Sequence, residues 1–252
     1  HLDGARLWNA AAATGIDALT HAVEAFIGRW ATPHTDSLAL AAVGMIFDSL
    51  RTACHDGSNL EARENMALAS TYAGMAFTRA NVGYVHAIAH QFGGRYHTPH
   101  GLANALMLPH VLRFSAPAVT AQLARLAVRA RLGDESEGEE ALAERFIDGV
   151  VALELDIGLP TTLAALREAD IPALAKAALH EAHTGYPVPR YLTQDECEQL
   201  IRAVLPPAAA KAPKATKTVR KPPARKTATA KTAATKTAAT KTAATKTAAT
   251  KT

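Results

Sequence analysis

The sequence predicts an all-α fold, and three observations carry that prediction. Apolar residues recur at three- and four-residue spacing through most of the chain, as one buried helical face requires. After residue 14 no stretch alternates polar and apolar side chains as a half-buried strand would. Gly57, Gly133, Gly158–Pro160 and Pro187–Pro189 punctuate the periodic runs at the intervals expected of turns between helices.

Taken in order, TGIDALTHAVEAF opens the helical part, with Ile16, Leu19, Val23 and Phe26 as its apolar stripe. GRWATPHTD then reads as a loop, and DSLALAAVGMIFDSLRTA as the second helix. NLEARENMALASTYAGMAFTRA is the third, capped by Ser58 or Asn59. GYVHAIAHQFGG is expected to stop at Gly93–Gly94. After the loop RYHTP, Pro99-His100-Gly101 starts GLANALMLPHVLRF, where Pro109 is expected to introduce a kink. AVTAQLARLAVRARL, EEALAERFIDGVVALELDI and PALAKAALHEAH follow as helices. TQDECEQLIRAVL ends the series, with Thr193 and Glu196 spaced as a capping box. The expected division is an atypical leader over 1–13, a helical domain over 14–206 and a tail over 207–252.

The chain has 252 residues, 48% of them hydrophobic, enough for one sizeable core. No run approaches the roughly eighteen consecutive apolar residues of a membrane span. HLDGARLWNA carries charge where a signal peptide needs an apolar stretch. Cys54 and Cys197 stand alone, without a CxxC, which fits a cytoplasmic, reducing compartment and argues against a thiolate metal site. Charge is unevenly placed: residues 207–252 hold twelve Lys or Arg and no acid, while all 23 acidic residues lie in 1–206. The tail ends in repeats of TAATK and lacks Leu, Ile and aromatic residues, so it is expected to stay disordered. Its composition resembles the Lys/Ala/Thr/Pro tails of linker histones. A polyanion such as DNA is the partner that charge would attract, with salt-dependent affinity; a merely solubilising extension is the other reading.

Histidines are the sharper signal. HAIAHQFGGRYHTPHG holds four of the chain's eleven. His86 and His90 are one helical turn apart, with Cβ atoms about 6 Å from each other. Asp17 and His21 make a second such pair upstream, and His100 sits at a helix start from which it can fold back toward His86 or His90. A nitrogen-rich set with one carboxylate and no sulfur suits Fe2+, Zn2+, Co2+ or Ni2+ and disfavours Mg2+ and Ca2+. HAIAH lacks the glutamate of HExxH, so a metalloprotease is disfavoured. Spacing alone leaves open whether these are ligands or ordinary satisfied histidines. His97 and His110 read as loop or core residues, and His34, His55, His180 and His183 have no partner visible in the sequence. Glu24 is either support for the site or part of a solvated face.

TGIDALTHAVEAF, GYVHAIAHQFGGRYHTPHGLANALMLPHVL and GYPVPRYL, in this order and spacing, resemble the C-terminal helical domain of the iron-containing alcohol dehydrogenase family over residues 12–206. The resemblance implies a dehydroquinate-synthase-like helical half. It implies that Asp17, His21, His86 and His100 bind Fe2+ or Zn2+, and that His90 lies by the nicotinamide and substrate in a proton-relay or positioning role. It further implies NAD or NADP as cofactor and a small alcohol, aldehyde or ketone as substrate.

The sequence departs from that family in one respect. No GxGxxG or other glycine-rich phosphate loop is present, so the α/β dinucleotide domain is expected to be missing, and turnover to depend on one supplied elsewhere. A truncated half would expose apolar surface and favour association, including homo-oligomers. HLDGARLWNAAAATG resembles a short segment of the threonine aldolases, in which the residue matching Asp3 faces pyridoxal phosphate. Lys176 is the sole lysine of 1–206 and the one available Schiff-base residue. This start reads as a junction scar without lyase function. The reading from another class is a non-catalytic helical fragment whose basic tail binds nucleic acid.

Overall fold

The computed structural model describes residues 4–207, with side chains from residue 11 onward. Eight α-helices make up the fold, and there is no strand among the described residues. They are α1 (Gly4–Ile27), α2 (Pro33–His55), α3 (Leu60–Ala80), α4 (Tyr84–Tyr96), α5 (His100–Arg129), α6 (Glu139–Asp156), α7 (Ile171–Gly185) and α8 (Gln194–Arg202). Asp3, with the pyridoxal-phosphate expectation attached to it, and the basic tail beyond residue 207 lie outside these residues. Lys176 sits on an exposed face of α7.

Helix α1 is the axis of the assembly. It packs against α2, α3 and α5, while α4 packs against α5 and α7, and α6 covers α5. The apolar stripe of α1 explains this: Ile16, Leu19 and Val23 are fully buried and Phe26 nearly so. Burying a side chain of that size contributes about 1.5–3 kcal/mol relative to exposure. Helix α3 meets α1 and α2 through Ala69, Ala73 and Ala76, all buried, whose small size lets the axes approach. Helix α2 is long and apolar enough to cross a membrane by length and composition, but half of its most apolar stretch is buried against the rest of the fold.

Several boundaries differ from the sequence reading, each for a local reason. Helix α1 begins at Gly4, so helix continues upstream of residue 14. PHTD belongs to α2 rather than to a loop: Thr32 caps it by accepting from the Thr35 amide at 3.2 Å, and Pro33 supplies its first turn. Gly93 and Gly94 stay inside α4, which ends instead at His97 in the left-handed region, φ 56°. Pro109 lies inside α5 with helical backbone angles. The non-helical residue is Val119, two positions after Pro117, so GLANALMLPHVLRF and AVTAQLARLAVRARL meet across a kink there. Asn59 caps α3, and Thr193 with Glu196 forms the expected capping box.

Candidate metal centre

Three helices bring the site together. Asp17, His21 and Glu24 follow one another at four- and three-residue steps on α1, His86 lies in the first turn of α4, and His100 opens α5. Their approach depends on Gly101, where a Cβ would fall inside the Ala13 carbonyl of α1. Gly83 plays the same part for α4, since a Cβ there would lie 2.8 Å from Glu24 Oε1.

One ligand atom from each of Asp17, His21, His86 and His100 lies within 4.8 Å of all the others. His86 Nε2 is 3.3 Å from His21 Nε2 and 3.8 Å from Asp17 Oδ1, and His100 Nε2 is 3.3 Å from Asp17 Oδ1. Atoms held about 2.1 Å from a single ion in a tetrahedral array lie roughly 3.4 Å apart. The observed spacings are of that size.

Charge and hydrogen bonding at the cluster fit a cation. Glu24 is buried, its Oε2 accepting from His86 Nδ1 at 2.6 Å and its Oε1 from the Val85 amide at 2.8 Å. Because His86 Nδ1 carries the proton, its Nε2 presents a lone pair to the cluster. Burial, reinforced by His86 and opposed by Asp17, lowers the His21 pKa to about 4. Burial likewise lowers that of His100, with Asp17 opposing and His86 and His90 adding to the fall. Neutral imidazoles are the form that binds metal. With His21 neutral, its 3.8 Å approach to Asp17 is not an ion pair near neutral pH.

One buried amide serves several groups of the cluster. Asn104, fully buried, gives Nδ2–H to Asp17 Oδ1 at 2.6 Å and also lies 3.3 Å from His86 Nε2 and 3.2 Å from His100 Nε2. One amide has two hydrogens for these three atoms. His21 Nδ1 and Asn104 Oδ1 are buried with no hydrogen-bond partner among the described residues. A cation would meet the lone pairs of the ring nitrogens and of the Asp17 carboxylate that converge here, so the residues present fit a nitrogen-rich divalent metal.

His90 stands beside the four without joining them. Its ring is stacked with that of His100, centroids 5.4 Å apart, while the His86 ring is 6.0 Å away. Its Nδ1 bonds Glu181 Oε1 at 2.6 Å, and the side chain is 40% exposed, against 2% for His86. The site is therefore deep at His86 and open on the side of His90 and His100. His97 is exposed, and His34, His55 and His180 are exposed elsewhere. His183 has a partner that spacing could not reveal, the Tyr84 hydroxyl at 2.6 Å.

Two residues of the site escaped the sequence reading. Asn104 lies one turn after His100 on the same helix face, so the four-residue rule that flagged the histidines also applied to it. Glu181 is 91 residues from His90 and had no such signal.

Known proteins resemble this chain over most of the described residues. Residues 11–205 match the family model "Fe-containing alcohol dehydrogenase family, C-terminal". The 1,3-propanediol dehydrogenase of Klebsiella pneumoniae is 47% identical over 195 residues, covering 76% of this chain and 50% of that protein. The lactaldehyde reductase of Escherichia coli K12 is 41% identical over 69% of this chain and 46% of its own length. Among solved structures, that of a 1,3-propanediol oxidoreductase superposes with a TM-score of 0.74 at 44% identity, over 77% of this chain and 51% of that one. An alcohol dehydrogenase from Oenococcus oeni gives a TM-score of 0.75 at 35% identity, over 78% and 52%. This chain spans about half the length of the curated relatives it matches. It belongs to the iron-containing alcohol dehydrogenase family and carries that family's C-terminal helical domain.

Proposed function

We propose that this domain binds a divalent metal through Asp17, His21, His86 and His100 and serves metal-dependent hydride transfer between a small alcohol or carbonyl compound and NAD(P). The observation that carries the proposal is the convergence of those four ligand atoms within 4.8 Å. When bound, iron or zinc would polarise the substrate oxygen, and a nicotinamide held with the help of a dinucleotide domain would give or accept the hydride. The names of the relatives, 1,3-propanediol dehydrogenase and lactaldehyde reductase, support short polar substrates.

Each residue of this chain then has a definite task. Glu24 holds His86 in the tautomer that turns Nε2 to the metal. Asn104 fixes the Asp17 carboxylate, and Phe77 stacks on His21 at 4.0 Å to set its ring plane. His90 lies on the open side and takes or returns the proton that accompanies hydride transfer. The working division is a metal-binding domain over 14–206, with a leader over 1–13 and a tail over 207–252. A cytoplasmic location is proposed from the cysteines, both free.

The test is metal analysis of the purified full chain. His86→Ala and Asp17→Asn should each lose most of the bound iron or zinc, while His90→Ala retains it. Unchanged metal content in both ligand variants refutes the assignment. NADH oxidation with a short aldehyde, after addition of a relative's dinucleotide half, tests the reaction; His90→Ala should lower it without loss of metal.

A further inference from the structure

Helix α4 presents two histidines one turn apart, and each gives its Nδ1 to a glutamate of a different neighbouring helix at 2.6 Å. His86 is held by Glu24 of α1, and His90 by Glu181 of α7. The first bond frees a nitrogen for the metal cluster. The second needs its own explanation, because His90 is outside that cluster.

The surroundings of Glu181 are those of a built clamp rather than a surface ion pair. Its carboxylate accepts three hydrogen bonds from two segments. Oε1 takes His90 Nδ1–H at 2.6 Å and the Tyr186 hydroxyl at 2.5 Å, and Oε2 takes Gln91 Nε2–H at 2.9 Å. Gln91 is itself tied to the Ala87 carbonyl at 3.1 Å, so the clamp is braced against the backbone of α4. Tyr186 is a committed donor: burial first, then its bond to Glu181, raises its pKa, so the hydroxyl keeps its proton. The remaining freedom of the His90 ring is taken up by stacking on His100, with planes 17° apart.

We propose that Glu181, braced by Tyr186 and Gln91, is the positioning residue for His90: it confines the ring proton to Nδ1 and leaves Nε2 as the nitrogen that faces substrate. A carboxylate can only accept here, so Nδ1 must be the donor. An imidazole's two nitrogens point away from each other, so fixing Nδ1 toward α7 turns Nε2 toward the open side of the site. The assignment rests on the reading that His90 handles the substrate's proton. It adds to that reading which nitrogen does so and what holds it.

The experiment is long-range proton–nitrogen correlation NMR of the full chain labelled with 15N-histidine. It is recorded both after chelation and after zinc loading, at a pH where imidazoles are neutral. Signals missing from His90→Gln identify His90. The wild-type chain should show the Nδ1–H tautomer, and Glu181→Ala should shift Nε2 from the unprotonated toward the protonated nitrogen range. An Nε2–H tautomer in the wild-type chain overturns the proposal, as does an unaltered Nδ1–H tautomer in Glu181→Ala. Should Glu181→Ala fail to fold, the wild-type pattern still decides. Zinc content measured on the same samples separates the two ideas: absent zinc with the Nδ1–H pattern intact counts against the metal reading and upholds the clamp.

Discussion

Replacing Glu24 by alanine should weaken metal binding more than any other change outside the four ligands. The carboxylate is 3% exposed and answers two buried donors, His86 Nδ1–H and the Val85 amide. Each donor left without a partner costs about 1–3 kcal/mol, so the folded state stands to lose roughly 2–6 kcal/mol before water enters the gap. His86 also loses the bond that fixes its tautomer. Removing such a partner of a ligating histidine typically lowers metal affinity about 10–100-fold. By the usual conversion that is about 1.4–2.7 kcal/mol. Glu24→Gln separates shape from hydrogen bonding: the amide is the same size, but one of its two ends is an NH2 facing a donor. Zinc titration against a chromophoric chelator measures the affinity, and thermal melting of the chelated chain measures the stability term. Unchanged zinc affinity in a folded Glu24→Ala chain would refute the claim that Glu24 orients His86.

Gly101→Ala should reduce both zinc affinity and melting temperature, because the added methyl meets the Ala13 backbone and pushes the start of α5, with His100, away from α1; equal values in both assays would show that close approach is not required. Phe146 is fully buried, with its ring 5.9 Å from that of Phe47. Phe146→Ala should cost about 3–5 kcal/mol and lower the melting temperature by roughly 6–20 °C, read by circular dichroism. Burial first, then Arg113, lowers the His110 pKa. The unfolded chain therefore binds a proton that the fold does not, and stability is complete above the unfolded value near 6.5 and falls as pH drops below it. Chemical denaturation on either side of that value should show a smaller loss in His110→Gln than in the wild-type chain. Chelation should lower the melting temperature by about 5–11 °C if zinc stands at a hundredfold excess over its dissociation constant, while the helical signal persists.

How much of this was legible depended on range. Ile16, Leu19, Val23 and Phe26 announced their helix because its periodicity is local, and all four are in the core. The Thr193–Glu196 box was readable for the same reason. Gly93–Gly94 misled because glycine shows where a left-handed residue is permitted, not where one is needed. Here His97 takes that conformation and the helix runs through both glycines. The break in α5 after Pro117 was not anticipated, although the same proline rule applied to it as to Pro109. In the site, the one-turn pairs Asp17/His21 and His86/His90 were visible as spacing. Whether Glu24 faced solvent or His86 was not, because the answer lies 62 residues away on another helix.

On the proposed function, the same contacts would make metal binding separable from hydride transfer. Each group of the cluster is anchored by something other than an ion: His86 by Glu24, Asp17 by Asn104, His21 by Phe77, His100 by the close start of α5 against α1. The ligands and their anchors belong to α1, α3, α4 and α5, and α1 packs directly on α3 and α5 while α4 packs on α5. Preorganised ligands cost little ordering on binding, unlike a zinc finger that folds around its metal. The hydride step is different, because no glycine-rich phosphate loop stands among the described residues and this chain spans about half of its relatives. On that reading, removing a dinucleotide-binding half would abolish turnover yet leave the proposed metal ligands in place, since the four ligands and their anchors all belong to the helices described.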